Sequence, residues 1–202
     1  MVAFGKLITS AVALAIPALA AVTPAQIVSN IEMITQKSAA LQAPAKTITL
    51  VNAPLLVIGQ GPLPTIITGF TDIVTTATNA ISQMQGSSPV PAGADSDAIA
   101  DAFRSFVRVH QELLNILIGK AGLLNTLPFV GAPMAAVLRQ VESVVDTIAF
   151  SLIDMVESRA KDLQADAQSL DGTLETCINA YSGVTNGITK RSLRYARREI
   201  AA

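Results

Sequence analysis

The spacing of the apolar residues constrains the fold of this chain more than any other feature. In each long segment they recur every three or four positions, which places them on one face of a helix, whereas a half-buried strand would alternate every second residue. Turns rich in Gly and Pro separate these segments at 59–62, 85–94 and 128–133. The pattern predicts an all-α fold, an antiparallel bundle of five or six helices joined by short loops.

Capping residues and prolines mark the first half of this pattern. Thr23 and Pro24 suit the N-cap and first position of a helix, which Pro44 is predicted to end. A second helix is predicted over 45–59 and a third over 63–84. Many threonines in the third segment lower its helix propensity, so a strand is the local alternative. We favour a helix because the apolar period is nearer 3.6 than 2.

The second half contains longer apolar stripes. Asp95 and Ser96 are predicted to cap a fourth helix that ends near Leu124. Acidic residues in its first turn suit the helix macrodipole better than they suit a metal site. A stripe from 131 to 182 follows, and a polar stretch near 157–159 leaves two alternatives, one very long helix or two helices.

The N-terminus has the features of a secretory signal peptide. Lys6 precedes the apolar run Leu7–Leu19, and Ala18-Leu19-Ala20 forms an A-x-A cleavage site. The run is too short to span a bilayer, which takes about 20 residues. The uncharged stretch 47–71 is interrupted by prolines and glycines. We therefore expect a signal peptide over 1–20, a helical domain over 21–187, a basic tail over 188–202, and no transmembrane span in the mature chain.

Charge and composition exclude several classes of function. Charged residues make up 14% of the chain, against about 25% in an average soluble protein. Between residues 21 and 188 there are 8 basic and 14 acidic residues, and this acidic balance argues against nucleic acid as a partner. The tail is basic, and its pairs Lys190-Arg191 and Arg197-Arg198 suit either proteolytic processing or a solvated tail.

The chain offers few residues for catalysis. It contains one histidine, His110, and one cysteine, Cys177, and no G-x-S-x-G motif presents a serine nucleophile. A lone histidine on an amphipathic helix is expected at the surface or at the edge of the core, although the apolar period leaves open whether Val109 or His110 belongs to the buried face of the fourth helix. Cys177 shares the apolar face of its helix, so a buried free thiol is favoured over a disulfide-linked dimer. We predict no enzymatic activity, catalytic residue, metal site or cofactor.

Several segments, in order, resemble the fungal hydrophobic surface binding protein family, which includes the ligand-binding repeats of cell-wall mannoproteins. They are Thr23-Pro24 after the signal peptide, the helix Ile27–Leu41, Phe103 and Leu113, PMAAVLRQVESVVDTIAFSLIDMV at 133–156 and LDGTLETCINAYS at 170–182. The resemblance implies a secreted or cell-wall-associated helical bundle without enzymatic activity. It implies adsorption to hydrophobic surfaces, capture of fatty acids in some members, and recruitment of a polyester-degrading hydrolase in others.

The chain departs from the family pattern after Ser182, where a basic tail replaces a Ser/Thr-rich stalk or hydrophobic anchor signal. This departure puts covalent attachment to the cell wall in doubt.

The apolar stripes themselves predict where a ligand would bind. Aliphatic helices packed through small residues can leave an elongated dry cavity that takes an apolar guest. The candidate walls are the apolar faces of the third, fourth and fifth helices: Phe70, Phe103, Phe106, Leu113, Leu138, Val145, Ile148 and Ile153. The predicted function is that of a secreted binding protein that adsorbs to hydrophobic surfaces, holds a fatty acid or similar lipid, or does both. The alternative is a surface-active structural protein without an internal ligand, which recruits a secreted hydrolase to a hydrophobic solid.

Overall fold

The computed structural model describes residues 22–49, 60–124 and 130–182, and these ranges form five α-helices. The all-α prediction is confirmed, since the described ranges contain no strand. A short 3-10 turn at Glu157–Arg159 separates the last two helices. The helices are α1 (Pro24–Lys46), α2 (Pro62–Met84), α3 (Ala94–Leu124), α4 (Gly131–Met155) and α5 (Ala160–Ser182).

The start of α1 agrees with its sequence signals, but its end does not. The Thr23 side chain accepts a hydrogen bond from the Gln26 amide at 3.2 Å, and Pro24 takes the first helical position. The prediction that Pro44 ends the helix is wrong, because α1 continues to Lys46. A proline in the last turn removes only one helical hydrogen bond, and the Pro44 carbonyl is satisfied by the Thr47 hydroxyl at 2.7 Å.

A separate helix was predicted over 45–59, and the described part of this range corrects its start. Residues 45 and 46 belong to α1, and residues 47–49 are not helical. Residues 50–59 lie outside the described residues, as do the predicted signal peptide, the basic tail and its two dibasic pairs.

The threonine-rich segment is helical, so the strand alternative is wrong. Within α2 the hydroxyls of Thr71, Thr75, Thr76 and Thr78 each donate to the carbonyl oxygen four residues earlier, at 2.8–3.0 Å. These side chains use the helix's own acceptors and lie on its outer side, while its apolar face is buried.

The long stripe from 131 to 182 forms two helices. Val156 adopts a non-helical conformation, with φ −116° and ψ 65°, and the 3-10 turn follows it. The break lies in the polar stretch, as one of the two alternatives predicted. The Val90 amide donates to the Met155 carbonyl oxygen at 2.8 Å, which fastens the α2–α3 loop to the end of α4.

The helices close into a ring in the order α1, α3, α5, α4, α2, and α2 packs against α1 again. Neighbours along the chain run in opposite directions. Between α1 and α2, Asn30 donates to Gln83 at 2.8 Å, while Lys37, further along α1, pairs with Asp72, earlier in α2. The two helices are therefore antiparallel.

Neighbours around the ring are not all antiparallel. Between α3 and α5, Arg104 pairs with Asp166 at 3.3 Å, and the Tyr181 hydroxyl donates to the Leu117 carbonyl oxygen at 2.8 Å. The later residue of α3 contacts the later residue of α5, so the two helices are parallel. Helices α1, α3 and α5 thus run one way, and α2 and α4 run the other.

Candidate functional site

The candidate wall residues lie on α2, α3 and α4, which correspond to the predicted third, fourth and fifth helices. All are buried except Ile153, which is half-buried and packs against the core. Helix α3 contacts α1 and α5, whereas α2 and α4 contact each other on the other side of the ring. The candidates therefore converge on the interior of the ring from two sides. Their role as the walls of a ligand site stays a prediction.

A ring of five helices has a wider interior than a four-helix bundle. With helix axes 8–10 Å apart, the centre of a regular pentagon lies about 7–8.5 Å from each axis. A helix with its side chains extends only about 5–6 Å from its axis. The middle of such a ring has to be filled by large side chains or by a guest molecule, because a void there forfeits packing energy.

Aromatic side chains meet across the middle of this ring. The rings of Phe70 on α2 and His110 on α3 lie edge to face with their centroids 6.1 Å apart, although their helices are not neighbours in the ring. One turn before His110, Phe106 lies with its ring centroid 5.3 Å from the imidazole, and Phe103 lies 6.0 Å from Phe106. These four side chains form what we call the aromatic cluster.

The expectation of a surface or edge position for His110 is wrong, and of the two residues that could complete the buried face of α3, Val109 and His110, it is His110 that is buried. Its side chain is 0% exposed. The reason is a partner on another helix: the imidazole Nδ1 lies 2.9 Å from the hydroxyl oxygen of Ser38, on α1. Ser38 is also buried. A buried polar side chain needs such a partner, and the sequence places this one 72 residues away.

The hydrogen bonds around His110 favour one tautomer of its imidazole. The Ser38 hydroxyl is 3.0 Å from the Ile34 carbonyl oxygen. A carbonyl oxygen can only accept, so we assign the single hydroxyl proton to this contact. In that assignment Nδ1 of His110 donates its own proton to Ser38. In the neutral imidazole this leaves Nε2 as an acceptor with a lone pair.

The Nε2 atom of His110 has no hydrogen-bond partner among the described residues, although it is buried. An unsatisfied buried polar atom costs about 1–3 kcal/mol. Burial lowers the pKa of His110 to about 4, because the apolar surroundings disfavour the charged imidazolium. At neutral pH the core therefore contains an uncharged imidazole with one acceptor nitrogen unused.

The Ser38–His110 pair does not have the arrangement of a hydrolytic site. In the assigned tautomer the imidazole donates to the serine, whereas a catalytic base accepts the proton of the serine hydroxyl. The hydroxyl is occupied by a backbone carbonyl, and both side chains are fully buried. Among the described residues no group of three metal-ligating side chains occurs.

Cys177 is a buried free thiol, as predicted. Burial raises its pKa to about 12, since the thiolate would be poorly solvated there. Nearby on α5, Tyr181 is also buried, and its hydroxyl reaches the backbone of α3. Burial first, and then the neighbouring Cys177, raise the pKa of Tyr181 above its usual range.

Asp97 and Asp101, near the start of α3, take part in ion pairs with arginines. Arg159 donates to Asp97 at 2.6 Å and to Asp162 at 2.9 Å, and Arg104 pairs with Asp101 at 3.4 Å. These contacts join the start of α3 to the start of α5. The prediction that these carboxylates serve the helix macrodipole stays a prediction.

The described surface is poor in large apolar side chains. Met33, 44% exposed, is the one such side chain that stands out to solvent within the described ranges. Two open grooves mark this surface. One of about 550 Å³ lies between the α2–α3 loop and the end of α4, and one of about 370 Å³ lies between α1 and α3. No described helix is both long enough and apolar enough to cross a membrane.

The amino-acid sequence matches no protein-family model and no curated protein. Several solved structures are nevertheless similar in fold. AFMP4P in complex with palmitic acid superposes with a TM-score of 0.69 at 17% identity, over 79% of this chain and 99% of that one.

Two domains of one further protein show the same likeness. Ligand-binding domain 2 of the Penicillium marneffei MP1 protein, complexed with multiple arachidonic acids, has a TM-score of 0.65 at 13% identity over 79% of this chain and 94% of its own. Domain 1 of that protein, complexed with arachidonic acids, has a TM-score of 0.59 at 13% identity, over 77% of this chain and 98% of the domain. The resemblance stated from the sequence is thus confirmed at the level of fold: this chain shares the helical fold of fungal domains that were solved with fatty acids.

Proposed function

We propose that this protein is a non-enzymatic lipid-binding protein that holds a fatty acid or a similar acyl ligand inside the ring of helices. The observation that carries the proposal is the convergence of large apolar side chains from α2, α3 and α4 on the interior of a closed five-helix ring. This interior is apolar and contains very few polar groups, as lipid sites do.

The comparisons and the surface both support an internal site. The similar folds were solved with palmitic or arachidonic acid. The described surface has one large exposed apolar side chain, so adsorption through that surface would require the bundle to open. Burial of about 16 methylenes at ~0.8 kcal/mol each gives roughly 13 kcal/mol. Association costs at least ~4 kcal/mol, and the balance is consistent with binding around micromolar.

Enlarging one wall residue tests this proposal. Val145 is buried on α4, and Val145→Trp should fill an internal site and abolish uptake of a fluorescent fatty acid by the delipidated protein. In a solid core the same change would overpack and cost about 1–3 kcal/mol or more. Ser143→Trp, at an exposed position of the same helix, is the matched control and should keep uptake.

Uptake and thermal unfolding are measured on the same samples. Absence of uptake by the wild type, together with strong destabilisation of Val145→Trp, would refute the internal site. Mass spectrometry of lipids extracted from the purified protein would identify a natural ligand.

We also propose that the protein is secreted to the extracellular space or the cell wall, where it adsorbs to hydrophobic surfaces and brings a secreted hydrolase to a hydrophobic solid. The signal-peptide pattern and the family resemblance support this. N-terminal sequencing of the extracellular protein should begin near Ala21. Recovery of an intact Met1 end from a membrane fraction would contradict secretion. A depletion assay on hydrophobic beads, with and without the hydrolase, tests adsorption and recruitment separately.

A further inference from the structure

We infer that His110 Nε2 is the polar recognition point of the core, where it accepts a hydrogen bond from the O–H group of an acyl ligand. The ligand class is an uncharged amphiphile with a hydroxyl donor at its head, namely a long-chain alcohol or an undissociated fatty acid. The inference deepens the proposed function and rests on it, because it requires that an acyl ligand enters the ring.

The direction of the hydrogen bond follows from the tautomer assigned to His110. With Ser38 donating to the Ile34 carbonyl oxygen and accepting from Nδ1, Nε2 presents a lone pair. A lone pair attracts a donor and repels a carboxylate oxygen. An ionised head group would in addition carry an uncompensated charge into an apolar core. The site therefore selects the neutral O–H form.

The position of His110 suits a ligand inside the ring rather than on its surface. The imidazole lies in the aromatic cluster, against Phe70 from across the ring and Phe106 on its own helix. Of the buried polar side chains Asn30, Ser38, Ser96 and His110, only His110 keeps a buried nitrogen or oxygen atom without a partner in the described part of the chain. It is thus the polar atom available to orient a guest there.

A matched pair of ligands isolates this single hydrogen bond. Hexadecanol and its methyl ether have the same chain and the same oxygen, but only the alcohol has a donor. Loss of a bond to a buried acceptor should weaken binding of the ether to the wild type at least about fivefold. Affinities are measured by displacement of a fluorescent fatty acid from the delipidated protein.

The histidine nitrogens give a direct readout, because His110 is the only histidine in the chain. In untagged protein with isotopically labelled histidine, NMR should show Nδ1 protonated and Nε2 unprotonated. Hexadecanol should shift the Nε2 resonance in the direction of hydrogen-bond acceptance. The methyl ether should leave it near its ligand-free position. This measurement needs no substitution, so it does not depend on the folding of a variant.

Two variants complete the test. His110→Leu removes the acceptor and should bind alcohol and ether equally. Cys177→Ala, at a buried site on α5, should keep the preference for the alcohol. If both ligands bind the wild type equally and neither moves Nε2, the inference is overturned while the proposed function stands. If neither ligand binds, the proposed function fails and this inference fails with it.

Discussion

Gly69 of α2 and Leu41 of α1 are in such close contact that a Cβ added at residue 69 would collide with the end of the leucine side chain. The absence of a side chain at this position allows the first two helices to approach each other. Leu41 is buried, so it has little freedom to move aside.

Gly69→Ala should therefore lower the free energy of unfolding. Overpacking costs about 1–3 kcal/mol, and this exceeds the gain of up to about 1 kcal/mol from replacing glycine by alanine in a helix. Gly172→Ala in α5 is the control, because nothing lies within 4 Å of its added Cβ, and it should be neutral or stabilising. Urea unfolding followed by circular dichroism measures both. Equal stability changes for the two variants would contradict the close approach.

The buried state of His110 should make stability depend on pH. Its pKa falls from the ordinary 6.5 to about 4 on folding, so between these values the unfolded chain binds more protons than the folded protein. The free energy of unfolding should then decrease as the pH is lowered from about 6.5 to about 4, by on the order of 3 kcal/mol. Above this window His110 contributes no pH dependence.

The difference between the wild type and His110→Leu isolates this effect from the titration of carboxylates. The variant should lack this part of the pH dependence, whatever its absolute stability. If the free energy of unfolding changes with pH by the same amount in both proteins between pH 6.5 and about 4, the imidazole is not buried in its neutral form.

Cys177 should be unreactive in the folded protein. Its pKa, raised to about 12, leaves almost no thiolate at neutral pH, and the side chain is 0% exposed. A thiol reagent such as DTNB should label it only after unfolding in urea. Rapid labelling of the native protein, or a covalent dimer on a non-reducing gel, would instead support the disulfide-linked dimer.

Arg159 should stabilise the junction between α3 and α5 in a salt-dependent way. The pKa of Arg159 is raised mainly by the hydrogen bond from its guanidinium to Asp97, and next by the one to Asp162. Arg159→Gln should lower the melting temperature at low ionic strength and lower it less at high ionic strength, because salt screens exposed charges. Arg108→Gln, at an exposed position on α3, should have a smaller effect. A decrease in the melting temperature of Arg159→Gln that is the same at low and high ionic strength would exclude an electrostatic role.

Apolar periodicity could predict the helices and their buried faces, because a period of 3.6 is a local property of the sequence. Hydrogen bonds between distant segments could not be predicted in this way. The choice between Val109 and His110 for the buried face could not be made from the sequence, because the partner of His110, Ser38, is on another helix. Pro44 does not mark the end of α1, because a proline in the last turn removes only one helical hydrogen bond and the helix continues past it. The arrangement of the helices in a ring, with parallel neighbours, likewise depends on contacts between faces that no single segment encodes.

The order of the helices around the ring also constrains how the chain folds. Two pairs, α1–α2 and α4–α5, are neighbours both along the chain and in space, so each can form as a hairpin. Helix α3 joins them through contacts such as Ser38–His110 and Leu117–Tyr181, whose partners are 72 and 64 residues apart. Closing loops of this length costs conformational entropy before the stabilising contacts have formed. We therefore expect the docking of α3 to be the slow step of folding.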